Sequence, residues 1–211
     1  MSEDRLRAEV RAERQEQADL LAGLEPGQWD AATLCAGWRV REVVAHTTLP
    51  FRASLGSTLR DLLRARGNVN RMADRRARRD AAELSSGQLL ASLRDNIAHP
   101  WTPPGGGVHG ALSHDVIHGL DITVGLGLDR RVPPDRVGLV VSRIRPRQAA
   151  YFGVDLTGVA LHATDLDWQY GTGSPLRGLA QDLLLVLCGR RLPPGRLDGE
   201  AAARFSGRPV H

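Results

Sequence analysis

The sequence contains no lysine, so all 28 of its basic side chains are arginines. Arginine does not titrate in the usual range, which accounts for an isoelectric point near 10.0 at a formal charge of only +4. The high value therefore carries little information about nucleic acid. There are two cysteines, Cys35 and Cys188, too few for a disulfide framework. No stretch approaches the roughly 18 apolar residues that a membrane helix needs. The opening "MSEDRLRAEVRAERQEQ" is charged at once, unlike the start of a signal peptide. These absences lead to the expectation of a cytoplasmic protein with no membrane and no nucleic-acid partner.

What remains is ordinary for a soluble globular chain: 211 residues, 42% hydrophobic and 25% charged, enough for one large domain or two small ones. One segment is locally basic, "RMADRRARRD" at 71–80. It reads either as a patch for phosphate or acidic groups or, more plainly, as a solvated helix end or loop. It holds no aromatic side chain, so base stacking has no platform there.

Apolar periodicity predicts an amphipathic helix over 3–24, with Leu6, Val10, Ala18, Leu20, Leu21 and Leu24 on the apolar side. A second long helix is expected from about Val40, kinked or unwound by Pro50. Others are expected over 83–98, from near Val108 to about Gly125, and over 135–150. "GVALHATDLDWQYGTG" at 158–173 alternates and predicts two short strands around a turn. "SPLRGLAQDLLLVLCGR" predicts a helix capped by Ser174 with Pro175 at its first position, and 197–208 one more short helix. The fold class expected is mainly α: a four-helix bundle over 1–150, then a small α+β segment over 151–211.

Three of the seven histidines fall in "GVHGALSHDVIHGLDI", residues 107–122. His114 and His118 are four apart, which stacks them on one helix face. Two imidazoles at that spacing chelate one divalent ion, and facing helices in a bundle supply the remaining ligands. His46, on the apolar side of its helix with Val43 and Leu49, is the best third ligand. Three neutral imidazoles would leave one coordination position free, the pattern of a catalytic rather than a structural site. Any one histidine on an apolar face, taken alone, is more often a hydrogen-bonded core residue than a ligand. "HDVIH" also approaches the H-E-x-x-H of zinc hydrolases, but Asp115 is a methylene shorter than the general-base Glu and is expected to point off the ligand face. Cys35 is expected to be a buried, small apolar residue.

Three stretches carry a resemblance: "WDAATLCAGWRVREVVAHTT" (29–48), "LSHDVIHGLDI" (112–122) and "TDLDWQYGTGSPLRGLAQDLLLVLCGRR" (164–191). The chain resembles the DinB-like superfamily and, more closely, the mycothiol-dependent maleylpyruvate isomerase family. The resemblance implies a DinB-like four-helix bundle holding a divalent metal, usually zinc, with His46, His114 and His118 as ligands. It implies mycothiol as thiol cofactor or co-substrate, a small-molecule electrophile as substrate, and isomerase or S-transferase chemistry through a metal-bound thiolate. A homodimer is compatible with it. Asp121 would orient a ligand imidazole or contact cofactor, and Arg190, with Arg191, would hold a substrate carboxylate. The isomerases carry Glu where His114 stands, which leaves this site one negative charge poorer. Two other readings stay open: a DinB-like metal-binding protein without catalysis, and a small zinc hydrolase.

Overall fold

The first helix shows how this chain distributes its core. In the computed structural model, which describes residues 2–144 and 150–207, α1 spans Glu3–Ala22 and Ser2 accepts the Arg5 N–H as its N-cap. Its inner face buries Leu6, Val10, Ala18 and Leu21, and also the polar Glu13, Arg14 and Gln17. A 3-10 turn at Pro26–Asp30 buries Trp29. Four helices follow: α2 (Val40–Arg52), α3 (Leu55–Arg64), α4 (Val69–Glu83) and α5 (Ser86–Arg94). α2 packs on α4 and α5, and α1 on α5. α6 (Gly107–Gly125) joins them through buried contacts between α1 and Asp115.

The long helix expected from Val40 is in fact two. Pro50 lies inside α2, which ends two residues later, and Ser54 caps α3 by accepting the Ser57 N–H. Proline removes a backbone donor and crowds the preceding turn, so the helix stops soon after it. The basic stretch 71–80 is neither a helix end nor a loop but the middle of α4. Its buried positions are Ala77, Asp80 and Ala81, so no run of large apolar residues announced it.

By its internal contacts the chain divides into two units: residues 1–31 with 38–115, and residues 32–37 with 116–211. α6 is one continuous helix that runs through the division. The second unit adds α7 (Pro134–Val141) and a four-stranded sheet in the order β2-β1-β3-β4. β1 (Val159–Ala163) and β2 (Gln169–Gly171) form the expected hairpin, with Leu161 opposite Tyr170. The expected helix over 135–150 is shorter than its pattern, and 145–149 lie outside the described residues.

The helix start expected at Ser174 and Pro175 is also corrected. Residues Ser174–Gly178 are β3, parallel to β1, with Leu161 paired to Leu176. Gly173 explains the turn into this strand: at φ 132°, with a Gly158 backbone atom 2.2 Å from where a Cβ would sit, only glycine fits. The helix, α8, begins at Ala180, whose N–H is accepted by the Asp165 carboxylate at 2.7 Å, and runs to Leu187 fully buried. β4 (Leu197–Asp198) pairs with β3, and α9 (Ala202–Phe205) is the short helix expected there. The architecture is mainly helical, a bundle with a small α+β segment. Among the described residues no helix is long and apolar enough to cross a membrane.

Candidate metal centre

α2 and α6 bring three imidazoles together. On α2, Val40, Val43, Val44 and Ala45 are buried and seat the helix, which leaves His46 half-buried at its edge. On α6, Leu112, Val116 and Leu120 are buried without residual exposure, and His114 and His118 follow the adjoining line one turn apart. His46 Nε2 stands 3.2 Å from His114 Nε2. One nitrogen from each of His46, His114 and His118 lies within 4.8 Å of the others. Two ligand nitrogens on a tetrahedral zinc with bonds of about 2.0–2.1 Å are roughly 3.3 Å apart, so the His46–His114 pair already has the spacing such an ion needs.

The carboxylates behind these rings decide which nitrogen faces inward. His114 Nδ1 is 3.0 Å from Asp115 Oδ1, and His118 Nδ1 is 3.1 Å from Asp121 Oδ2. An ionised carboxylate only accepts, so each Nδ1 carries a proton and each neutral ring presents its Nε2 lone pair. This arrangement, imidazole backed by carboxylate, is how protein metal sites fix ring orientation and raise ligand basicity.

Each carboxylate is in turn held by an arginine. Arg190 donates from Nε and Nη2 to the two oxygens of Asp121, both at 2.8 Å, while its Nη1 donates to the Cys188 carbonyl at 3.0 Å. Burial by itself would raise the pKa of Asp121; the hydrogen bonds from Arg190 and His118 overcome that and hold it below the usual carboxylate range. Burial would likewise lower the Arg190 pKa, and its bonds to Asp121 leave it raised instead. Arg14 donates from Nε to Asp115 Oδ2 at 2.7 Å and from Nη1 to the His99 carbonyl at 2.8 Å.

Asp121 stands beside the His118 imidazole, where the resemblance implied an orienting residue, and is fully buried. Several sequence expectations change here. The Arg190 fork is engaged with Asp121, and Arg191 is exposed with Nη2 on the Ser206 carbonyl. Asp115, expected off the ligand face, is 4% exposed and lies between His114 and Arg14. Cys35 is half-buried, its N–H accepted by Thr33 Oγ1, whereas Cys188 is buried and its thiol is pushed up to about 12 by that burial. Sequence reasoning missed Arg14 and the two tryptophans. Trp38 packs on His46 with ring centroids 5.1 Å apart, and Trp101 meets His114 edge-on at 5.4 Å. Arg14 had left a signal: it sits between Val10 and Ala18 on the apolar line of α1.

Fold and site together define a DinB-like helical bundle with a three-histidine cluster on two of its helices. Residues 10–100 match the family model of the mycothiol maleylpyruvate isomerase N-terminal domain. Two solved structures share the fold. One is a mycothiol-dependent maleylpyruvate isomerase, at TM-score 0.57 and 12% identity, with 99% of this chain and 96% of that chain covered. The other is a histidine-to-alanine mutant of a mycothiol-dependent maleylpyruvate isomerase, at TM-score 0.53, 13% identity and the same coverage. At this identity the likeness establishes the fold. No curated protein sequence matches the chain.

Proposed function

We propose that this protein is a metal-dependent enzyme that uses mycothiol, an isomerase or S-transferase acting on a small electrophile. The observation that carries this reading is the pair of Nε2 atoms 3.2 Å apart. The Asp115 contact turns the His114 lone pair toward His46, and a shared cation satisfies that nitrogen pair together with His118. The likeness to a mycothiol isomerase domain over 10–100 supports the choice of thiol.

A divalent ion at this cluster would supply the Lewis acidity that keeps a thiol as its thiolate, the reactive form. The rest falls to the chain. His46, His114 and His118 are neutral donors, so the ion's charge stays available to an incoming anion. Asp115 and Asp121 hold the Nδ1 protons, Arg14 and Arg190 hold those carboxylates, and Trp38 and Trp101 keep water from two sides of the rings. Burial pushes the Cys188 thiol up to about 12, which keeps it protonated near neutral pH, and on this reading mycothiol would bring the reacting sulfur. The hydrolase reading loses its general base, since both oxygens of Asp115 are already engaged.

Asp121 and Arg190 are positioning residues on this account, acting through His118. Asp121→Asn is expected to weaken zinc affinity ten- to a hundredfold, read by competition with a chelator and with helical content checked alongside. Unchanged affinity would remove Asp121 from the site. The function itself is tested with cobalt-loaded protein. Mycothiol is expected to produce a sulfur-to-cobalt charge-transfer band at lower concentration than a simple thiol of equal pKa. If fully loaded protein shows no band with either thiol, the non-catalytic metal-binding reading takes its place.

A further inference from the structure

α3 turns its leucines to the solvent. Leu55, Leu59 and Leu63 recur every fourth residue and are 91%, 59% and 70% exposed, and Val69 at the start of α4 is 60% exposed. The inward face of α3 carries the buried Asp61, followed by Ala65 just past the helix end. An ordinary surface helix does the reverse, burying its apolar stripe. Contiguous exposed apolar residues on a protein surface mark a contact site.

The second observation begins at the residue after Leu63. α3 and α4 enclose a cavity of about 110 Å³ lined by Arg64, Arg75, Arg76, Arg79, Met72 and Asp61. Asp61 Oδ2 accepts from Arg76 at 2.6 Å and Arg79 at 3.3 Å, with Arg64 3.8 Å from Oδ1. Behind it Asp80 takes Arg52 and Arg76. Five guanidinium groups, those of Arg52, Arg64, Arg75, Arg76 and Arg79, therefore lie around two carboxylates, and Arg60 is exposed on α3. The cavity has room for a few waters at roughly 30 Å³ each, or for one oxyanion bound by arginine forks. Arg66 and Arg71 are also exposed, and Asp61 is the only acidic residue between 54 and 73.

Charge selects the occupant. A second copy laid antiparallel on the leucine stripe would set the Arg60 and Arg64 rows side by side. An acidic protein would answer the arginines but leave the exposed stripe of Leu55, Leu59 and Leu63 beside them unmatched. A bilayer of anionic phospholipid presents phosphate and hydrocarbon next to each other. An amphipathic helix with leucine on one face and arginine on its flank lies in such an interface. We propose that the α3–α4 hairpin docks this protein on an anionic phospholipid surface, with a lipid phosphate in the arginine cavity and Leu55, Leu59 and Leu63 in the acyl boundary. This is attachment to a surface, distinct from a membrane span.

The test is co-sedimentation at low salt with vesicles of phosphatidylcholine alone and of phosphatidylcholine mixed with phosphatidylglycerol. The full-length protein is expected on the mixed vesicles only. The double variant Leu59→Ser/Leu63→Ser should lose at least about tenfold in partition, and Arg60→Gln or Arg71→Gln about fivefold each. These positions are exposed, so melting temperature and zinc binding should not move. Absence of binding to mixed vesicles would overturn the proposal. Inorganic phosphate that displaces the protein while the leucine variant partitions normally would reassign the cavity to a free oxyanion. Binding of soluble polyglutamate without vesicle binding would assign the surface to an acidic protein, and a dimer lost in the leucine variant would assign it to a second copy.

Discussion

His118→Ala is expected to take zinc from about one ion per chain to a small fraction of that, with helical content largely kept. The ring projects from the middle of α6, one turn from His114, and is half-buried, so its removal leaves Leu112, Val116 and Leu120 packed as before. Two imidazoles remain, and two neutral donors hold a divalent ion far less well than three. The readouts are metal content after dialysis and the response of stability to zinc. A ligand at a hundredfold excess over its Kd stabilises the folded state by about 2.7 kcal/mol; the wild-type melting temperature should rise with added zinc and that of the variant should not. A variant that keeps its full metal content would show that the three-histidine cluster is not the site.

The cluster was legible because its signals are local or periodic. His114 and His118 share a helix face by spacing alone, and His46 stands on the apolar side of a helix where an imidazole needs a partner. The Asp121 contact to His118 is three residues long and follows from the same helix geometry. Arg14 and Asp115 are 101 residues apart, and nothing local to either names the other. What the sequence offers is a single charged residue on an apolar stripe, a buried-pair signal that periodicity counts as an error. α4 was hidden for the opposite reason. Its contacts are made by alanines and by ion pairs among Arg76, Asp61 and Asp80, so a hydrophobicity pattern sees only charge. β3 was hidden by competing rules: a Ser-Pro start suits a helix, yet a parallel partner at β1 and the Gly173 turn hold it extended.

Arg14→Met is expected to destabilise the fold by about 3–5 kcal/mol, because it strands a buried carboxylate. The Arg14 and Asp115 side chains are 1% and 5% exposed. The loss extends beyond the pair. Arg14 also donates to the His99 carbonyl, and its guanidinium lies 5.1 Å from the centre of the Phe51 ring, so it ties α1 to the end of α2 and to the loop that carries Trp101. Asp115→Asn added to Arg14→Met removes the stranded charge, and the double variant should therefore regain part of the lost stability, read as the urea midpoint at unchanged slope. Zinc affinity should move the other way. The Arg14→Met protein still has a carboxylate on His114 Nδ1, whereas Asp115→Asn puts a neutral amide in its place, so the double variant should be the more stable of the two and the weaker metal binder. A purely structural role for Asp115 predicts recovery of stability with no further loss of zinc affinity. A shift within about 0.5 kcal/mol for Arg14→Met, the range of ordinary surface substitutions, would mean that the buried pair does not hold α1 against α6.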